Sequence, residues 1–176
     1  MTASRTAARP AALGPWITLA MAIALADQFT KWLLARSLAA GEVVHVTGFF
    51  NLVHVFNKGA AFSFLANAGG WQRVFFIGVT IAAVSLIVYL LRRHGGDRLF
   101  CLGLALILGG ALGNLWDRVM LGHVVDFLDF HAAGWHWPAF NVADSAITVG
   151  AALLILETLL AGRRERHRPD AGDATG

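Results

Sequence analysis

Residues 109–145, GGALGNLWDRVMLGHVVDFLDFHAAGWHWPAFNVADS, decide how this chain folds. The stretch joins the end of one very apolar segment to the start of another. Its amide-bearing and charged residues are Asn114, Asp117, Arg118, Asp126, Asp129, Asn141 and Asp144. Such groups are costly at membrane depth and usually line a protein interior or a water-filled cavity. The stretch therefore predicts a polar site between two membrane spans.

The composition of the whole chain favours a membrane protein. Its 176 residues are 57% hydrophobic and 14% charged, whereas roughly a quarter of the residues in a soluble domain are charged. We expect one membrane domain over residues 1–168 and a disordered tail over residues 169–176. The single cysteine, Cys101, excludes an internal disulfide and any multi-cysteine metal site.

Four apolar segments are long enough to cross a bilayer, which needs about 20 residues. The fold class is thus an all-α polytopic membrane protein with four transmembrane helices, at about residues 13–34, 74–91, 99–118 and 142–161. The start of the chain also resembles a signal peptide, with a cleavage-like Ala24-Leu25-Ala26. Because the apolar character resumes beyond Ala26, we favour a retained span.

Clusters of arginine predict the orientation in the membrane. They lie near the N-terminus, in residues 92–98 and in residues 163–168. Since basic residues accumulate on the cytoplasmic side, both termini and the 92–98 loop should be cytoplasmic. The positive charge is then a topological signal and does not indicate nucleic-acid binding.

The first outer loop, residues 36–73, is not a plain linker. Residues 42–62 are rich in β-branched and aromatic side chains, which predicts a small β-rich extracytoplasmic subdomain with turns at Gly41 and Gly48. Residues 62–73 are expected to form a short interfacial helix.

This topology brings the unusual polar residues to one leaflet. They are Asp27 and Lys31 from the first span, Asn57 and Asp126 from the outer loops, Asn114, Asp117 and Arg118 from the third span, and Asn141 and Asp144 from the fourth. Asn114, Asp117 and Arg118 share one helix face. Two simpler interpretations stay open: a structural ion pair between Asp117 and Arg118, and an i, i+4 pair between Asp27 and Lys31.

Asp126 and Asp144 have no basic residue at helical spacing. If two carboxyl groups meet in a poorly solvated place, one pKa rises and the pair can act as acid and base together. Spacing alone does not show that they meet. Asp126 could cap a surface helix, Asp144 could be an N-cap beside Asn141, and Asp117 remains a competing catalytic candidate.

Five blocks of residues occur in one order along the chain. They are Asp27-Gln28-x-x-Lys31, Asn57-x-Gly59-Ala60-Ala61-Phe62-Ser63, Gly109-Gly110-x-x-Gly113-Asn114-x-x-Asp117-Arg118, Val124-Val125-Asp126-Phe127 and Phe140-Asn141-x-Ala143-Asp144-Ser145. With these blocks the chain resembles the lipoprotein signal peptidases, the bacterial type II signal peptidases, which are four-helix membrane aspartic proteases.

The resemblance implies that Asp126 and Asp144 are the catalytic dyad. Supporting or substrate-binding roles fall to Asn57, Asn114, Arg118 and Asn141, and also to Asp27, Lys31 and Asp117. It further implies cleavage of diacylglyceryl-modified preproteins before the lipidated cysteine, without a metal or other cofactor. The expected protein is a monomer in the bacterial inner membrane, in contact with lipids but not nucleic acid, with its site toward the outer leaflet.

Some residues of the sequence also suggest other functions. His123, Asp129, His131 and His136 suggest zinc but show no recognised ligand spacing. Ser63 and Ser145 lack a hydrolase motif. The chief alternative is a small proton-coupled transporter that uses buried aspartates, although a transporter needs polar sites near the membrane midplane. A purely structural subunit would leave Asp126 and Asp144 unexplained.

Overall fold

Four long helices and four strands make up the part of the chain that the structure describes. A computed structural model describes residues 13–59 and 70–166, with side chains up to residue 163. The elements are α1 (Gly14–Ser37), β1 (Val43–Thr47), β2 (Phe50–Asn57), α2 (Trp71–Arg93), α3 (Arg98–Met120), β3 (Val124–Ala132), β4 (Trp135–His136) and α4 (Val142–Arg166). All four helices are long and apolar enough to cross a membrane, which confirms the predicted number of spans.

The helix boundaries differ from the predicted ones at several ends. Helix α2 already begins at Trp71, so residues 71–73 extend a long helix and do not belong to a separate interfacial one. The rest of that predicted helix, up to residue 69, lies outside the described residues. The predicted tail over residues 169–176 also lies outside them.

Glycines on α3 allow the neighbouring helices to approach closely. A Cβ at Gly109 would lie 2.6 Å from the carbonyl oxygen of Ala20 on α1, and a Cβ at Gly110 would collide with the carbonyl oxygen of Ala143 on α4. Nearer the start of α3, Gly103 faces Gly150. Further along α3, Gly113 lies against Asp27 of α1. Residue numbers at the contacts rise along α1 and fall along α4, so α3 runs parallel to α1 and antiparallel to α4.

We expect Gly110→Ala to destabilise the protein. Alanine normally stabilises a helix interior relative to glycine by about 1 kcal/mol, but here the methyl group must push α4 away, and overpacking costs about 1–3 kcal/mol. Thermal unfolding in detergent micelles measures the effect. Gly78→Ala on α2 is the matched control, because a Cβ there meets open space. Equal unfolding temperatures for the two variants would contradict this packing.

The four strands form one antiparallel sheet in the order β1-β2-β3-β4. The segment between α1 and α2 supplies β1 and β2, as the sequence predicts, with Gly48 in the turn between them. The predicted β-rich region was too narrow, because β3 and β4 of the same sheet come from the segment between α3 and α4. Strand β3 pairs with β2 so that Asp126 lies opposite Val55.

The sheet is fastened to the end of the helices at which α1 and α3 finish. Leu34 of α1 packs in one buried cluster with Val125 and Phe127 of β3. Between α3 and β3 the chain reverses at Gly122, whose φ of +81° favours glycine. This short connection brings the start of β3 back to α3, where Asp117 Oδ2 accepts the backbone N–H of Val125.

Asp129 ties the strands together through a polar network. Its carboxylate accepts hydrogen bonds from Asn51 on β2 at 2.8 Å and from His136 on β4 at 2.9 Å. On the other side, the ring of His45 on β1 lies 2.8 Å from the Asn51 oxygen. Although burial raises the pKa of Asp129, the hydrogen bonds from His136 and Asn51 hold it below its ordinary value of 3.8.

We expect Asp129→Asn to lower the unfolding temperature at pH 7 by about 2–4 °C. Because the folded-state pKa is depressed, the carboxylate stabilises the fold above its ordinary pKa of 3.8, and this contribution disappears as the pH falls through the folded-state value. The gap between wild type and variant should therefore shrink below about pH 4. Calorimetry over a pH series checks this, and a gap independent of pH would refute it.

Candidate active site

Helix α1 brings a buried lysine beside the polar face of α3. Lys31 Nζ lies 2.7 Å from Asp27 Oδ2 and 2.8 Å from Asp117 Oδ2. It also donates to Asn114 Oδ1 at 3.1 Å. The i, i+4 pair between Asp27 and Lys31 is thus present, but the lysine is shared with α3. These side chains form a buried ionic cluster between the two helices.

Arg118 points to main-chain oxygens. Its guanidinium donates to Gly59 O at 3.1 Å and to Asn114 O at 3.4 Å, and it lies over the ring of Phe76. In the described part of the chain, Asp117 pairs with Lys31 and not with Arg118. The simple Asp117 to Arg118 ion pair is therefore wrong, and Arg118 links α3 to the segment that follows β2.

Strand β3 holds Asp126 between two asparagines. Asn57, at the end of β2, donates to Asp126 Oδ2 at 3.1 Å. Asn141, just before α4, donates to Asp126 Oδ1 at 2.7 Å. The side chain is buried. Because Asp126 lies within a strand, the alternative that it caps a surface helix is wrong.

The first turn of α4 carries Asp144. Its backbone N–H donates to Asn141 Oδ1 at 2.9 Å, so Asn141 is the N-cap of α4 and the alternative that Asp144 caps the helix is wrong. Asp144 Oδ1 accepts a hydrogen bond from Asn114 Nδ2 at 2.7 Å. A carboxylate in the first turn of a helix is also favoured by the helix dipole.

Asp126 and Asp144 line the same cavity, which has a volume of about 610 Å³. Asn57, Asn114 and Arg118 line it as well. Burial, and next the negative charge of Asp144, raise the pKa of Asp126 to about 7, although the hydrogen bonds from Asn57 and Asn141 oppose the rise. Near neutral pH, Asp126 can therefore carry a proton.

Comparison with known proteins shows the family to which this chain belongs. The family model described as signal peptidase (SPase) II matches residues 19–160. The chain belongs to the signal peptidase II family. The lipoprotein signal peptidase of Paraburkholderia phytofirmans is 56% identical over 165 residues, which cover 94% of this chain and 96% of that protein. That of Ralstonia nicotianae is 60% identical over 152 residues, covering 86% of this chain and 88% of that protein.

A solved structure of a bacterial membrane enzyme, obtained by the in meso method at 2.3 Å resolution, has the same fold. It superposes with a TM-score of 0.79 at 32% identity, covering 88% of this chain and 93% of its own. Membership of the signal peptidase II family confirms the resemblance seen in the sequence and implies a protease.

Within the region matched by the signal peptidase II family, one continuous network contains every residue predicted for the site. Its members are Asp27, Lys31, Asn57, Asn114, Asp117, Arg118, Asp126, Asn141 and Asp144, and the hydrogen bond from Asn141 to Asn114 Oδ1 at 3.2 Å joins its two halves. The five sequence blocks are thus joined by side-chain contacts in three dimensions. The structure separates two groups: residues that line the cavity, and residues such as Asp27, Lys31 and Asp117 that lie behind it.

Two polar residues of this site had no role assigned from the sequence. Gln28 donates to Asp117 Oδ1 at 2.8 Å. Arg73 donates to the carbonyl oxygens of Arg118 and Val119 at 2.8 and 2.7 Å, where α3 ends. Gln28 follows Asp27 within an otherwise apolar span, and this position could have predicted that it belongs to the site. Nothing in the sequence around Arg73 points to the end of α3.

The histidines and serines considered from the sequence lie in other settings. His136 is paired with Asp129 on the sheet, and His131 lies 3.3 Å from the Asn51 oxygen. Among residues 13–59 and 70–163, no cluster of three His, Cys, Asp or Glu side chains is arranged to hold a metal ion. Ser145 donates its hydroxyl to Asn141 O. Ser63 lies outside the described residues.

Proposed function

We propose that this protein is an aspartic endopeptidase that removes signal peptides from diacylglyceryl-modified preproteins, cutting just before the lipidated cysteine. Its relatives include proteins named lipoprotein signal peptidase. We infer the aspartic type of catalysis from the cavity that Asp126 and Asp144 share, where the pKa of Asp126 rises to about 7.

The two carboxyl groups would divide the chemistry between them. Asp144, ionised, removes a proton from a water molecule as it attacks the scissile carbonyl carbon. Asp126, protonated, donates its proton to the carbonyl oxygen as negative charge develops there. When the tetrahedral intermediate breaks down, Asp144 gives the proton it has acquired to the leaving amine. Asp126 takes a proton back from a hydroxyl group of the intermediate as the carbonyl re-forms and the C–N bond breaks, which restores both aspartates. No metal or other cofactor takes part in this scheme.

The supporting residues would orient the dyad and the substrate. Asn57 and Asn141 direct both oxygens of Asp126, and Asn114 directs Asp144. Arg118 lines the cavity, so its guanidinium can donate to a main-chain carbonyl of the substrate. Asp27, Lys31 and Asp117 brace this arrangement from behind.

The proposed orientation puts the site at the outer leaflet of the bacterial inner membrane. Arg92, Arg93, Arg98 and Arg163 lie at the end of the bundle opposite the sheet, which favours a cytoplasmic position for that end and for both termini. Lipid would contact the apolar outer faces of the helices, where residues such as Val74 and Ile155 are exposed. We propose that residues 1–168 act as one monomeric domain without nucleic-acid partners.

The cavity suits a substrate that lies partly in lipid. Besides the aspartates, it is lined by Ile147, Thr148 and Val149, which continue along α4 into the membrane span. A signal-peptide helix could lie along this side while the acyl chains stay in the bilayer. The transporter alternative gains no comparable support, because the polar network lies at one end of the helices.

A cleavage assay with purified protein in liposomes tests the proposal. A preprotein carrying the diacylglyceryl cysteine should be cut immediately before that cysteine. The same preprotein without the lipid should be cut at least about 100-fold more slowly, since remote binding energy is needed to position the scissile bond. A zinc chelator should leave the rate unchanged. Equal cleavage of both substrates, or inhibition by the chelator, would overturn the assignment.

A further inference from the structure

Two buried carboxylates hold the main chain directly before each member of the proposed dyad. Asp117 Oδ2 accepts the backbone N–H of Val125 at 3.2 Å. Asp27 Oδ1 accepts the backbone N–H of Ala143 at 2.9 Å. Val125 and Ala143 immediately precede Asp126 and Asp144. Strand β3 and helix α4 are therefore each anchored one residue away from a proposed catalytic carboxyl group.

One ammonium group joins these two anchors. Lys31 Nζ is 2.7 Å from Asp27 and 2.8 Å from Asp117, and it donates to Asn114 Oδ1 at 3.1 Å. An ammonium has three donors, and these contacts account for all of them. Because both anchoring carboxylates bind the same nitrogen, its position limits how far apart they can lie.

The orientation of the two carboxylates is fixed from a further side. Gln28 Nε2 donates to Asp117 Oδ1 at 2.8 Å and to the carbonyl oxygen of Gly113 at 3.1 Å. At Gly113 itself, a Cβ would lie 2.6 Å from Asp27 Oδ2, so only glycine leaves room for that carboxylate. Gln28 therefore restrains Asp117, and Gly113 accommodates Asp27.

We propose that Asp27, Gln28, Lys31 and Asp117 form a positioning clasp that sets the separation and orientation of Asp126 and Asp144 through the main chain. This inference rests on the proposed function, since it concerns the same dyad. The four side chains act through the backbone of Val125 and Ala143, so they are positioning residues. A displacement of about 1 Å at a reacting group can cost about 10²-fold in rate, which is the scale of effect expected here.

The test compares Asp27→Asn with Asp27→Ala in the full-length protein, with kcat and KM measured on a lipidated preprotein. Asparagine keeps a carbonyl oxygen that can accept the Ala143 N–H, so kcat should stay within about tenfold of wild type. Alanine removes the anchor, so kcat should fall by about 10²-fold while KM changes less than about threefold. Both variants lose the same charge. Equal values of kcat for the two would show that Asp27 only neutralises Lys31, and would overturn the clasp.

Gln28→Leu provides a second test that leaves every charge in place. We expect kcat to fall by about tenfold with KM unchanged, because Asp117 is no longer restrained. Thr30→Val is the control and should retain the wild-type kcat, because Thr30 lies on the same helix and its hydroxyl donates to the main-chain oxygen of Asp27. An unchanged kcat for Gln28→Leu, or a fall that merely matches loss of folded protein, would contradict the clasp. Failure of the proposed function would appear separately, as activity retained by Asp126→Asn or Asp144→Asn.

Discussion

Replacing either Asp126 or Asp144 with asparagine should lower kcat for cleavage of a lipidated preprotein by on the order of 10³-fold or more. Each substitution keeps the size of the side chain but removes a group that must exchange a proton, and general acid or base catalysis typically contributes about 10²–10⁴-fold. Single-turnover cleavage in liposomes measures the loss without interference from product release.

The pH dependence of wild-type cleavage should follow from the raised pKa of Asp126. The acid is active when protonated, and its pKa is about 7. The rate should therefore fall as the pH rises through that value, because Asp126 loses the proton it must donate. A rate that keeps rising well above neutral pH would disagree with these roles.

Asp129→Asn is the matched control for the dyad. It makes the same chemical change on the same strand, three residues beyond Asp126, but Asp129 binds Asn51 and His136 and is not among the residues lining the cavity in the described part of the chain. It should retain cleavage at 25 °C despite its lower unfolding temperature. Near-normal cleavage by Asp126→Asn or Asp144→Asn would reject the dyad.

Substitution of Asn141 should have the next largest effect, because this side chain serves both aspartates. Its amide nitrogen donates to Asp126 and to Val125 O, while its oxygen accepts the Asp144 N–H. We expect Asn141→Ala to lower kcat by about 10²-fold. Loss of the helix cap should also destabilise the fold by about 1 kcal/mol.

Asn141→Asp separates these two contributions. A carboxylate still accepts the Asp144 N–H, so the helix cap and the unfolding temperature should stay close to wild type. It cannot donate to Asp126, however, and its negative charge favours the protonated form of Asp126. Because Asp126 is no longer oriented by this donor, cleavage should fall about as far as in Asn141→Ala. Because the added negative charge keeps Asp126 protonated, the descending limb of the pH profile should move to higher pH. If Asn141→Asp keeps full activity, Asn141 acts only as a cap.

The competition between Asp117 and Asp126 shows what spacing could not resolve. Asp117 shares a helix face with Asn114 and Arg118, so the sequence made it a reasonable catalytic candidate. In the folded chain both of its oxygens are occupied by Lys31, Gln28 and the Val125 N–H. Asp126 instead faces the cavity. Only the contacts between α1, α3 and β3 distinguish a bracing carboxylate from a candidate catalytic one.

By itself, the sequence determined the membrane class, the four spans and the set of polar residues gathered at one end of them. Spanning depends on the apolar content of about 20 consecutive residues, which is a local property. Only the tertiary structure decided the extent of the sheet and the partner of each carboxylate. Strand β3 exists through pairing with β2, and the Asn57 to Asp126 bond joins residues 69 positions apart. Such pairings depend on how distant segments pack together, which no local pattern of residues encodes.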